Sequence, residues 1–192
     1  MPGENLTRSE AATRSALIQA QHYLVEIDLT QNSKTFPTKT TVNFSCNEPG
    51  AESFIDAITA SVESIELNGT ALDPASYSDR TRITLPNLQS ENTLVVSATG
   101  VFSNSGEGLH RFVDPVDQAE YFYTQFEVPD SRRMFAVFEQ PDIKATFEFH
   151  VTGKSGWQVI SNSPTPEPTE LGDGLAKWEF EPTPRISSYI TA

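Results

Sequence analysis

Apolar residues along much of this chain recur at every second position, with a helical exception near the start. Tyr23, Val25, Ile27 and Leu29 alternate with polar residues, and Phe36, Thr38, Thr40, Val42 and Phe44 mark the same rhythm. Period two sends successive side chains to opposite faces, so these runs predict strands with one face buried. Val62 to Leu67 leads into Asn68-Gly69, a type I′ hairpin signal, and continues to Leu72. Arg82 to Leu85, Thr93 to Thr99, Ala145 to Val151 and Ala176 to Phe180 predict further strands. The exception is Thr7-Arg8-Ser9-Glu10, a capping box followed by Ala11, Ala12, Ala16, Leu17 and Ile18 at helical spacing. It predicts one short helix over 8–19. Ser161 to Pro168, with three prolines, reads as a surface loop. Together these segments predict a mostly β fold, an antiparallel β-sandwich or saddle of packed sheets with one short N-terminal helix. Residues 1–20 read as an extension carrying that helix, and 21–192 as the sandwich.

Composition supports a packed core. The 192 residues include 12 Phe, 5 Tyr and 2 Trp, and the 13 Pro and 10 Gly are spread along the chain as turn formers. The 26 acidic and 13 basic residues leave a formal net charge of −13. That balance disfavours binding to nucleic acid and to anionic membrane surfaces. It serves solubility or attracts a cationic ligand, and charge alone does not separate the two. Cys46 is the only cysteine, which excludes an intrachain disulfide and reads as a half-buried strand residue. The first residues lack the basic and apolar run of a signal peptide, and no apolar stretch approaches bilayer length. The cytoplasm is the expected location.

Residues 104–144 depart from the strand rhythm. Asn104 to Leu109 reads as a flexible loop, and Tyr121 to Glu127 as a strand with Tyr121, Tyr123, Gln125 and Glu127 on one face. That face is either exposed or the wall of a pocket meeting another domain. Arg132 and Arg133 lie close in sequence to Asp130, Glu139 and Asp142, with Lys144 in reach of the same group. Arginine forks suit carboxylates, so this set predicts an ion-pair network that fixes the loop.

Several spaced blocks resemble one family. Thr124-Gln125-Phe126-Glu127, Arg132-Arg133 and Phe138-Glu139-Gln140-Pro141-Asp142-Ile143-Lys144-Ala145-Thr146-Phe147 are similar to the signature of the amino-terminal domain of aminopeptidase N zinc peptidases. Gly108 to Pro115 and Tyr121 to Gln125 resemble the actinobacterial-type branch, and Trp157 to Asn162 resembles the family's Trp-x-Val-x-Ser-Asn segment. Glu139 stands where most relatives carry Asp, and Ser131 where Ala is usual. The resemblance runs from about Leu6 to the end.

The resemblance implies a parent enzyme that removes amino-terminal residues from peptides with a bound zinc. The family's His-Glu-x-x-His and Gly-x-Met-Glu-Asn segments do not occur in this sequence, so no metal site, no catalytic residue and no activity are expected of the chain alone. His22, His110 and His150 have no i, i+4 pairing, the first and last falling in strands and His110 in a loop. By the same resemblance Glu127 accepts the α-ammonium of a peptide substrate, and Gln125 helps line the pocket for the first side chain. Partners are peptide substrates and the catalytic domain, with no nucleic acid and no membrane. Other readings are a stand-alone β-sandwich interaction module, a carbohydrate- or peptide-binding sandwich, and an epoxide hydrolase branch of the same family.

Overall fold

The computed structural model describes residues 5–78 and 81–191. Thr7 caps α1 (Arg8–Leu17): its side chain accepts from the Glu10 N–H while the Glu10 carboxylate accepts from the Thr7 N–H. The helix ends at Leu17 rather than at residue 19, because Ile18 already has extended dihedrals (φ −109°, ψ 133°). A β-branched residue enters a strand readily.

Strands follow as β1 (Ile18–Asp28), β2 (Thr35–Cys46), β3 (Ser53–Asp56), β4 (Ser61–Leu67), β5 (Thr70–Leu72), β6 (Tyr77–Ser78) and β7 (Arg82–Leu85). The remainder are β8 (Glu91–Val101), β9 (Gly108–Val113), β10 (Glu120–Gln125), β11 (Thr146–Lys154), β12 (Thr169–Gly172) and β13 (Leu175–Glu179). Eight of them form one sheet in the order β12-β13-β11-β1-β2-β8-β4-β5. Asn68 (φ 54°) and Gly69 (φ 77°) make the β4–β5 turn with two positive φ angles, as a type I′ hairpin requires. The sheet is mixed, since β1 and β11 run parallel. Alternation reports which face a residue occupies and says nothing of strand direction, so this pair was not legible.

The inner face of the large sheet carries Tyr23, Val25, Val42, Phe44, Leu94, Val96, Phe147 and Phe149, all buried. A second layer covers it, made of the sheet β3-β7-β6 and the irregular run Met134–Phe138. That run joins β3 through an antiparallel bridge between Asp56 and Val137. It also donates to the large sheet: Ala136 N–H to Thr40 Oγ1 at 3.2 Å and Phe138 N–H to the Tyr23 hydroxyl at 3.2 Å. The sandwich is therefore stitched through its centre by backbone groups that would otherwise be buried without partners. Cys46, expected to be half-buried, is buried at the end of β2, where Sγ donates to the Glu48 carbonyl at 3.3 Å.

Gly100 lies on β8 directly opposite Phe36 of β2. A Cβ at this position would sit 2.2 Å from Phe36 Cζ, and Phe36 is fully buried against Phe102. Gly100→Ala is expected to destabilise the domain by about 1–3 kcal/mol through overpacking. Urea unfolding reads this directly; an unchanged midpoint would mean that the Phe36 ring has another place to go.

Candidate functional site

β9 and β10 form a two-stranded ribbon with Tyr123 opposite His110, Tyr121 opposite Phe112 and Gln125 opposite Gly108. Its inward residues anchor it. Phe122 packs against Phe102 and Trp157 at ring distances of 5.3 and 5.1 Å, and Leu109 and Phe126 are buried. The outward face holds Phe112, Tyr121 and Tyr123, each about half exposed, followed by exposed Gln125 and Glu127. His110, expected in a loop, belongs to β9 and stacks on Tyr123 at 4.5 Å.

The strand ends at Gln125, and Glu127 stands in the turn that follows, yet the alternation persists. Phe126 is the reason. It is 2% exposed and meets Phe135 edge-on at 6.2 Å, so its neighbours on both sides must point to solvent. The turn is held by the Asp130 N–H donating to the Phe126 carbonyl at 3.0 Å and by the Glu127 N–H donating to Gln125 Oε1 at 3.0 Å. The second bond fixes the Gln125 carboxamide against the backbone of Glu127. Among the described residues, the Gln125 amide nitrogen and the Glu127 carboxylate have no hydrogen-bond partner. A carboxylate beside an amide donor can receive a ligand that carries both a cation and a carbonyl.

The Peptidase M1 N-terminal domain family matches residues 19–190. The chain belongs to this family. It is 55% identical to Aminopeptidase N of Streptomyces lividans across all of this chain and 22% of that protein. It is also 34% identical to Aminopeptidase N of Acetobacter pasteurianus, over 53% of this chain and 29% of that protein. With Aminopeptidase N of Bos taurus it shares 27% identity over 82% of this chain and 18% of the other. The chain thus spans less than a third of each of these relatives. It is an aminopeptidase N amino-terminal domain of actinobacterial type.

In this M1 amino-terminal domain the loop after Glu127 enters a 3₁₀ turn over Ser131–Arg133. Arg133 pairs with Asp130 at 2.6 Å and lies over Gly108, where an added Cβ would meet its Cβ at 2.8 Å. Gly108 also has a φ of 66°, so a glycine is needed there on two counts. Arg132 is buried, and its Nη2 donates to Asn5 Oδ1 at 3.1 Å. Glu139 is buried too, and its carboxylate accepts from the Arg132 N–H at 2.9 Å, from the Ser188 hydroxyl at 2.6 Å and from the Ser131 hydroxyl. Backbone and hydroxyl donors thus bind the carboxylate for which arginine forks were expected. Asp142 accepts from the Ser15 hydroxyl at 2.6 Å, and exposed Lys144 forms no ion pair among the described residues.

A second buried cluster lies at the start of the chain, around α1. Arg14 of α1, 2% exposed, donates from Nη1 to Asp56 Oδ2 at 2.5 Å and from Nη2 to the Glu139 carbonyl at 3.2 Å. Its Nε donates to Gln140 Oε1 at 3.2 Å, and Asp56 Oδ2 also accepts from the Glu139 N–H at 3.0 Å. Arg82 adds a second tie to the helix through Glu10 at 2.6 Å, and both guanidinium groups lie over the Phe54 ring. The hydrogen bond from Arg82 is the largest cause that lowers the Glu10 pKa to about 2. Sequence reading missed this cluster because its members lie in four separate segments. One signal was present: Arg14 is three residues after Ala11 and three before Leu17, on the face that turns inward. Ala12 and Ala16, part of the apolar spacing that predicts the helix, are exposed.

Among the described residues no helix is long and apolar enough to cross a membrane.

Proposed function

We propose that this domain holds the amino terminus of a peptide substrate for an aminopeptidase whose catalytic part lies in further polypeptide. The observation that carries the reading is the exposed pair Gln125 and Glu127 on either side of buried Phe126, with the Gln125 carboxamide held by the Glu127 backbone N–H. Glu127 accepts the substrate's α-ammonium, and Gln125 lines the space for the first side chain. A chain interior offers no cation to that carboxylate, so the contact favours termini over internal bonds. Relatives carrying the name aminopeptidase support the reaction class.

Among the described residues no three His, Cys, Asp or Glu side chains converge as metal ligands. By the resemblance to the family, we place the zinc and the catalytic groups in the further polypeptide of the parent and expect the domain by itself to hydrolyse nothing. Arg132, Arg133, Glu139, Asp142 and Lys144 belong to the loop that supports the pair and do not touch substrate. The cytoplasm remains the location we assign.

The test is Glu127→Gln in the full-length parent. A lost charge-assisted hydrogen bond is worth roughly 1.5–3 kcal/mol, so kcat/KM for an unblocked dipeptide should fall about ten- to a hundredfold. Zinc content should match the wild type. Wild-type kinetics in this variant would remove Glu127 from the site. The exposed Phe112, Tyr121 and Tyr123 favour a second reading, a non-catalytic interaction module, which requires that the parent's kinetics ignore this face altogether.

A further inference from the structure

Beside β10 runs a cleft of about 460 Å³, bounded on its far side by residues 156–161. Its floor is apolar, with Ile27, Phe149 and Val151 from the large sheet and Leu29 just past β1, and Phe122 and Trp157 line its walls. Among the described residues β10 has a single strand neighbour, β9. The outer edge of β9 is already occupied: the Ser103 N–H donates to the Leu109 carbonyl at 2.9 Å, and the Arg111 N–H donates to the Ser103 carbonyl at 3.0 Å. The open edge of this ribbon therefore belongs to β10, and the cleft lies along β10.

An open edge is a row of backbone donors and acceptors ready to pair, and proteins usually blunt it with proline, a bulge or free charges. β10 carries none of these. Its one charged residue, Glu120, is tied to Arg111 and, at 2.5 Å, to Lys154. The Lys154 hydrogen bond, then that of Arg111, holds its carboxyl below the usual range. The strand itself, Glu120-Tyr121-Phe122-Tyr123-Thr124-Gln125, favours extended structure.

We propose that a strand from the polypeptide that follows this domain in the longer parent occupies the cleft and pairs with β10. The proposal rests on the domain reading above and adds its partner. The last described turn, Ser188–Ile190, lies at the Ser161 end of the cleft, since Asn162 Nδ2 donates to the Ile190 carbonyl at 3.0 Å. Polypeptide continuing from there starts beside the groove, and a tethered segment has a high effective concentration for it. The match to the Streptomyces protein covers 22% of its length, so ample further chain exists in such a relative. The added strand would place alternate apolar residues on the floor and main-chain groups on β10, the strand-addition mode of recognition. It would also lay new backbone next to Gln125, at the end of the same edge.

Hydrogen–deuterium exchange compares the 192-residue chain with the full-length parent, both without substrate. Amides of residues 120–125 that do not face β9 should slow by at least about a hundredfold in the parent, at alternate positions, as antiparallel or parallel pairing of one edge demands. Amides of β2 serve as the folding control and should be equally protected in both. Equal rates across 120–125 would overturn the proposal. Protection of the short chain that grows with its concentration would assign the cleft to a second copy, and protection that needs added peptide would assign it to substrate; either result also overturns it. None of these outcomes bears on Glu127, whose role is read from kinetics.

Discussion

Arg14→Met is expected to cost the domain about 3–5 kcal/mol, the loss that follows when one partner of a buried ion pair is removed. Asp56 is 1% exposed and would be left with the Glu139 N–H as its one direct donor among the described residues. The Arg82 Nε lies 3.9 Å from Asp56 Oδ1, too far to take over as a hydrogen bond. The same substitution removes the bonds to the Glu139 carbonyl and Gln140 Oε1, leaving α1 tied to that loop by Gln140 Nε2 on the Ala11 carbonyl at 2.9 Å and by Ser15 on Asp142. Urea unfolding should show a lower midpoint with an unchanged slope. The double variant Arg14→Met, Asp56→Leu should be less damaging than Arg14→Met alone, because the stranded charge is gone. A loss below about 1 kcal/mol for Arg14→Met would show that the pair is open to solvent and not the tie it resembles.

Phe135→Ala should cost a similar amount, about 3–5 kcal/mol, for a different reason. The ring is fully buried, and four aromatic rings surround it edge-on: Tyr23 at 6.4 Å, Phe126 and Phe147 at 6.2 Å and Phe149 at 5.8 Å. Removing it leaves a cavity that these neighbours, pinned on two strands and a turn, fill only in part. The effect reaches the candidate site through Phe126, which holds Gln125 and Glu127 outward. Thermal and urea unfolding measure the loss, and exchange of the amides at 125–130 should quicken more than global unfolding requires. A loss of under 1 kcal/mol, or no local change at 125–130, would mean that Phe126 is held by something other than Phe135.

These two substitutions mark the boundary between what the chain discloses and what it hides. Phe135 belongs to Met134-Phe135-Ala136-Val137-Phe138, an apolar run with no alternation. Its meaning appears only in the sandwich: every residue of the run is buried because the run pairs with β3 in the second layer and packs on the large sheet. Arg14 and Asp56 are separated by 42 positions, and no local rule pairs them. By contrast, the outward set Tyr121, Tyr123, Gln125 and Glu127 was legible from alternation, because a single buried Phe126 is enough to preserve the pattern past the strand's end.

The sequence by itself determined the long alternating strands and their buried faces, the Thr7–Glu10 cap and the Asn68-Gly69 turn, because each depends on residues a few positions apart, while the short β3, β6 and β12 and the ribbon strand β9 were not read from it. The resemblance carried by its spaced motifs named the family that the match over residues 19–190 shows. Tertiary structure alone decided three things. It made β1 and β11 parallel neighbours, since strand order is set by which long-range contacts bury the most apolar surface. It gave Glu139 to backbone and hydroxyl donors, because the 3₁₀ turn at Ser131–Arg133 places the Arg132 amide and the Ser131 hydroxyl on its carboxylate. And it left one edge of β10 open along an apolar cleft, a property of the space between segments that no residue of either segment encodes alone.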